Sequence, residues 1–283
     1  MRQWSAALYC VLLMVARGFA EDATSSAALS IDWQDNWLII AGPELPGGEV
    51  RVHYLEAYCR PNSTDADWVK HTMIPHKTHR VASKEQNRIN LVCQLQDGVV
   101  VTHDIKAEGD EVSFHLAAEN PTQTASEAHW AQPCIRVEKF TGKSHEGYVP
   151  QCFVYLEDKL ARLPTQPWAT KARYIPGQVY CPKHVPRTDV NPRPLSDLVP
   201  SNGLMGCFSA DEKWILATAW EPYQELFQGV GVCIHSDFRI GGLQPGEKKT
   251  IRGKIYITDA GADQLLARYE RDFPEQPVDS TSK

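Results

Sequence analysis

The stretch Val232-Cys-Ile-His-Ser-Asp-Phe238 delivers an imidazole and a carboxylate at the end of an apolar run. If that run is a strand, His235 and Asp237 share one face, so the carboxylate could orient the imidazole toward a ligand. Ser236 then faces away. A Ser-His-Asp triad is therefore not supported, and the chain also has no Gly-x-Ser-x-Gly elbow.

Two further stretches carry chemistry. Trp220-Glu-Pro-Tyr-Gln-Glu225 gathers two aromatics, two carboxylates and an amide after an apolar run. Aromatic faces hold the C–H surfaces of sugars, and planar polar groups bond their hydroxyls. Trp220, Tyr223 and Gln224 are therefore candidate sugar contacts. Glu221 or Glu225 is the candidate acid or base, because a carboxylate among aromatics can have its pKa raised. His129-Trp-Ala-Gln-Pro-Cys-Ile-Arg136 adds His129, Trp130, Gln132 and Arg136, which suit a polar or anionic ligand. Arg136, and Arg80 beside a histidine cluster, offer planar forks for a carboxylate such as that of a uronic acid.

A His-ligated divalent metal is not favoured. His71, His76 and His79 lie close in sequence, but on a strand the i, i+3 pair His76 and His79 faces opposite sides. Cys181-Pro-Lys-His184 stands alone, whereas zinc sites usually show two such pairs. A composite of His129, His235 and a further histidine is the better metal candidate.

These residues must be positioned by strands. Ile89, Leu91, Cys93 and Leu95 alternate with polar residues, as do Val99, Val101, His103 and Ile105, and then Val112, Phe114, Leu116 and Ala118. A three-residue loop Gln96–Gly98 keeps one face apolar and pairs Leu91 with His103. A two-residue loop at Glu108-Gly109 would pair Ile105 with Val112 and His103 with Phe114. His103 then reads as a hydrogen-bonded core histidine. The opposite face, with Asn90, Asp104, Ser113 and His115, reads as the wet side of a one-sided sheet. Strand patterns also mark Trp37–Ile40, Glu49–Tyr58, Gln151–Glu157, Gly206–Phe208, Trp214–Trp220, Gly229–His235 and Thr250–Ile257. Nine of the nineteen prolines fall between Pro150 and Pro200, which marks an ordered excursion of the kind that lines a site. One C-terminal helix is expected, capped by Asp259, buried through Leu265, Leu266, Tyr269 and Phe273, and stopped by Pro274.

The expected organisation is a signal peptide at 1–20, one β-sandwich domain over 21–274, and a polar tail at 275–283. Arg2, the apolar run Ala6–Ala16 and Gly18-Phe-Ala20 form a secretory leader pattern, which predicts a secreted or periplasmic protein. No later stretch approaches the ~20 apolar residues of a membrane helix. The formal charge is −6, and becomes −8 without Arg2 and Arg17, which argues against nucleic acid as a partner. Of eight cysteines, seven remain after the leader, so at least one has no partner within the chain. A free buried thiol is as good a reading as a disulfide for Cys93 and Cys233.

Phe114-His-Leu-Ala-Ala-Glu-Asn-Pro-Thr122 leading to His129-Trp-Ala-Gln-Pro133, and Val232-Cys-Ile-His235 leading to Leu243-Gln-Pro-Gly-Glu247, resemble motifs of the galactose mutarotase-like fold. That fold is a large antiparallel super-sandwich shared by aldose epimerases and other carbohydrate-active enzymes. The whole chain also resembles secreted proteins of bacteria rich in polysaccharide-degrading enzymes. In the family, a histidine of the first motif protonates the ring oxygen, and a glutamate of the second takes the anomeric proton. Carried over, the resemblance puts the acid on His129 and the base on His235, an imidazole in place of a carboxylate. It implies that the fold persists and the epimerase chemistry does not. The expectation is therefore a mostly β, large antiparallel sandwich that binds or modifies an oligosaccharide or uronide. Proton transfer would fall to His129, His235 and Glu221 or Glu225. The alternative is a non-catalytic binding or structural domain of the cell envelope.

Overall fold

The computed structural model describes residues 28–82, 85–165, 179–229 and 231–274. The expected leader and polar tail lie outside these residues, as does the stretch 166–178 of the proline-rich excursion.

In chain order the strands are β1 (Ser30–Gln34), β2 (Trp37–Ala41), β3 (Glu49–Cys59), β4 (Met73–Ile74), β5 (His76–Val81), β6 (Arg88–Leu95), β7 (Val100–Glu108) and β8 (Glu111–Glu119). They continue with β9 (Trp130–Arg136), β10 (Cys152–Leu156), β11 (Lys159–Arg162), β12 (Met205–Phe208), β13 (Ile215–Glu221), β14 (Tyr223–Gly229), β15 (Cys233–Arg239) and β16 (Lys248–Thr258). Helices α1 (Glu138–Thr141) and α2 (Ala262–Asp272) complete the described elements, with a π-helical turn at Trp68–Thr72 and a 3-10 turn at His145–Gln151.

The strands form two antiparallel sheets. One runs β1-β2-β3-β9-β15-β14, with β4 beside β3. The other runs β11-β10-β12-β13-β16-β8-β7-β6-β5. Alternation puts Val50, Val52, Ile135, Ile234 and Phe238 of the first sheet against Leu91, Val101, Ile105, Phe114 and Ile255 of the second, in one continuous core. The fold is thus the expected large antiparallel sandwich with one C-terminal helix. Helix α2 covers the outer face of the larger sheet through Leu265 and Tyr269, which join Phe153, Tyr155 and Tyr256. Residues 179–190 of the proline-rich excursion cover part of the outer face of the smaller sheet, where Val179, Cys181, Val185 and Val190 meet Phe227.

The meander of β6, β7 and β8 has the expected first register, with Leu91 opposite His103 and Gly98 at φ 93° closing a three-residue loop. The second hairpin differs. Its turn is Gly109-Asp110, so Ile105 faces Phe114 and His103 faces Leu116. A slip of two residues keeps every side chain on its face, so the apolar alternation could not choose between the registers. His103 is a core histidine, 3.0 Å from the Tyr54 hydroxyl and 3.1 Å from that of Tyr58. Helix α2 begins after Gly261 without a side-chain cap, so Asp259 does not serve as one.

Candidate functional site

The outer face of the smaller sheet is hollow where the excursion does not cover it. The hollow is a cavity of about 620 Å³. Strand β9 presents Gln132, Cys134 and Arg136 to it at every second position, and β15 presents Cys233 and His235. Phe227 and Gly229 on β14, Asn191 and Arg193 on the excursion, and Asp67, Trp68 and Lys70 at the π turn add to the walls.

Glu56 arrives by a different device. Between His53 and Ala57 the register of β3 against β9 shifts, and Leu55 takes φ 61°. A bulge of this kind re-aims a side chain out of the strand alternation. Glu56 thereby enters the cavity, where Gln132 Nε2 donates to it at 3.0 Å. Burial pushes its carboxyl up, but His53, His235 and Arg136 outweigh burial and hold it at about 2. A second non-glycine residue at positive φ, Val232 at 53°, stands directly before Cys233. β-Branched residues rarely accept that conformation, and such strain concentrates at functional sites.

His235 is almost fully buried. Its ring stacks on Phe227 with centroids 4.2 Å apart, Nε2 lies 3.3 Å from Cys233 Sγ, and Nδ1 lies 3.4 Å from Asp237 Oδ1. Burial opposes its charge, but Cys233 and Asp237 prevail and raise it to about 10. Burial raises the Asp237 carboxyl to about 7, against the pull of His235. Hydrogen bonding from Cys134 lowers the Cys233 thiol, and that bond pushes Cys134 up. All seven described cysteines are free and buried.

The structure separates several residues that the sequence suggested would meet. The segment expected to be a ligand-binding loop is instead the end of β13 and the start of β14. Trp220 lies between the sheets, with its ring 5.1 Å from Phe114 and 4.8 Å from Phe238, and Tyr223 joins the same core. Neither can face a ligand, because tertiary packing claimed both aromatics. Glu221 ion-pairs with Arg252 on β16, outside the cavity. Arg80 is on β5 of the other sheet, 3.4 Å from Asp32. Trp130 is buried under Trp68.

His129, Gln224 and Glu225 anchor the excursion. His129 Nδ1 is 3.1 Å from Asp189 Oδ2, Gln224 donates to the Asp189 carbonyl, and the Asn191 backbone N–H makes a bifurcated bond to both Glu225 carboxylate oxygens at 3.0 and 3.2 Å. Burial, with Asp237 opposite, pushes the Glu225 carboxyl well above its ordinary range. His129 does not line the cavity, so neither the acid–base pair with His235 nor the composite histidine metal site is assembled. Of the expected residues, Gln132, Arg136 and His235 line the cavity, with Asp237 directly behind His235. The sequence reading passed over Glu56, Cys134, Asn191 and Arg193. Strand parity with Gln132 and Arg136 was the available signal for Cys134.

No protein-family model matches the chain, and no curated protein matches it. Among solved structures, the resemblance to galactose mutarotase-like proteins recurs. The Slr1438 protein of Synechocystis sp. PCC 6803 aligns at 8% identity and TM-score 0.46, over 82% of this chain and 96% of its own. A putative aldose 1-epimerase of Escherichia coli K12 aligns at 11% identity and TM-score 0.43, over 81% and 98%. A galactose mutarotase-like protein of Lactobacillus casei ATCC 334 aligns at 8% identity and TM-score 0.42, over 81% and 100%. Likenesses at TM-scores below 0.5 say nothing about activity, which has to be read from the cavity itself.

Proposed function

We propose that the cavity binds a small acidic carbohydrate, of the uronide class, through Arg136 and Arg193. One observation carries this reading. Both arginines line the same hollow, and neither has a carboxylate within 4 Å among the described residues. Arg136 donates Nη1 to the Gly231 carbonyl at 2.6 Å, while its Nε is buried without a partner. Arg193 leans over the Phe227 ring, 5.4 Å from its centroid. Partly buried guanidinium groups that no carboxylate pairs directly, with Glu56 the carboxylate of the same hollow, can still take an anion, and a carboxylate fits the guanidinium fork. The Gln132 and Asn191 amides and the Trp68 ring supply the hydroxyl and C–H contacts that a sugar needs.

Titration calorimetry with glucuronate, galacturonate and their neutral parent sugars tests the reading. The acidic sugars should bind and the neutral ones bind at least about tenfold more weakly, since one charge-assisted hydrogen bond contributes roughly 1.5–3 kcal/mol. Arg193→Ala should erase that preference. Equal binding of acid and neutral sugar would remove the arginines from recognition.

The same reading places the mature chain outside the cytoplasm, supported by the leader pattern of its first twenty residues. Amino-terminal sequencing of exported protein should begin at Glu21; a cytoplasmic chain that still starts at Met1 would contradict it.

A further inference from the structure

Strands β9 and β15 pair with Ile135 opposite Ile234 and Arg136 opposite Cys233. The same register brings Cys134 opposite His235. Cys134 Sγ, Cys233 Sγ and a ring nitrogen of His235 all lie within 4.8 Å of one another, the one such trio among the described residues. A tetrahedral zinc ion with Zn–S of about 2.3 Å and Zn–N of about 2.0 Å needs its ligand atoms roughly 3.5–3.8 Å apart. The 3.3 Å between Cys233 Sγ and His235 Nε2 is already close to that spacing.

Three further features fit a metal. The ligands sit on central, hydrogen-bonded strands and are at most 2% exposed, so little has to be ordered on binding. Gly229 clears the space: a Cβ there would collide with the Cys233 sulfur and stand 2.9 Å from His235 Nε2. Asp237 is fully buried, and neither of its oxygens has a hydrogen-bond partner among the described residues. His235 Nδ1 stands 3.4 Å from its Oδ1. Carboxylates in that position fix metal-bound imidazoles by accepting from the nitrogen that does not coordinate. A metal on Nε2 would leave Nδ1–H as the donor Asp237 lacks, which answers the cost of burying that carboxylate alone.

We propose that Cys134, Cys233 and His235 hold a divalent cation of the zinc class, with a fourth coordination position opening into the cavity. Two sulfurs and one imidazole select a borderline-soft ion over magnesium or calcium. Three protein ligands with one open position is the arrangement of catalytic zinc sites, and structural sites close all four. The open position would take water or a ligand oxygen beside Glu56, which lines the same hollow. The proposal stands apart from the acidic-sugar reading, because metal binding is measured without any sugar.

Cobalt(II) added to the purified, reduced full chain is the probe. About one cobalt per chain should bind, with the strong thiolate-to-cobalt absorption and visible bands of a tetrahedral site. Cys134→Ser and Cys233→Ser should each weaken the thiolate band and lower the affinity at least about tenfold; Cys207→Ser, on β12 and outside the cavity, should change neither. Should a ligand variant fail to fold, X-ray absorption of the zinc-loaded wild type decides the matter. Two sulfur scatterers near about 2.3 Å support the site, and a shell of nitrogen and oxygen alone overturns it. Folded wild-type protein that takes up no stoichiometric cobalt or zinc, or that carries a Cys134–Cys233 disulfide resistant to mild reduction, overturns it as well.

Discussion

Cys233 and His235 stand two residues apart on one face of β15, with Sγ 3.3 Å from Nε2, and the strand beside them offers Gly229 where any other residue would intrude. The cluster thus depends on a missing side chain. Gly229→Ala should force the sulfur and the imidazole apart at a cost of about 1–3 kcal/mol, the usual range for overpacking. Urea denaturation reads the stability and cobalt titration reads the site. Unchanged values for both would mean that the strands yield freely there.

Trp220 was expected at a ligand and lies in the core between Phe114 and Phe238. Trp220→Ala should lower stability by about 3–5 kcal/mol, as for other large aromatics removed from cores. Trp68→Ala, in the cavity wall, should cost far less stability and should weaken sugar binding instead. Equal losses of stability from the two variants would contradict this division.

His103 gives the pH dependence. Burial, with His76 adding to it, pushes its imidazole down to about 3. Tyr54, Tyr58 and His76 face it, with Cys93 close to the tyrosines. In the unfolded chain a histidine titrates near 6.5. Between those values the unfolded chain holds the extra proton, so the His103 contribution to stability is complete above about pH 6.5 and falls as pH drops toward 3. Between pH 6.5 and 4.5 the His103 contribution amounts to about 2–3 kcal/mol, read as the difference between wild type and a His103 variant, because the raised Asp237 and Glu225 carboxyls act in the opposite direction in both. His103→Gln should start less stable, and the gap between it and wild type should narrow as pH falls. Parallel curves would exclude His103 as the cause.

Glu225 holds the excursion through the Asn191 amide. Glu225→Ala should loosen residues 179–195, speed their proteolysis and weaken acidic-sugar binding through Arg193, with the metal trio keeping its ligands. Cobalt affinity that fell as steeply as sugar affinity would show that Glu225 supports the trio instead.

The sandwich was readable because its strands alternate strictly, as in Ile89–Leu95, where one buried face leaves a period of two. The slip at Gly109-Asp110 was not readable, since both registers bury the same set. His235 and Asp237 were found because their strand ends on polar residues, and Gln132 and Arg136 because an amide and a guanidinium in one short stretch suit a polar or anionic ligand. Glu56 was hidden by a bulge that only long-range pairing creates, in a strand whose local pattern gives no warning. Arg193 lay in proline-rich sequence without periodicity. Trp220 and Tyr223 misled because Pro222 between two aromatics reads locally as a loop, whereas packing on both sides makes it a strand junction.

The central claim is that Arg136 and Arg193 receive an acidic sugar in the hollow of the smaller sheet. A crystal structure with bound glucuronate or galacturonate tests it most directly. The account predicts the carboxylate within hydrogen-bonding distance of both guanidinium groups and the ring beside Trp68. Sugar seated instead on the polar outer face of the larger sheet, around Asp104 and His115, would contradict it.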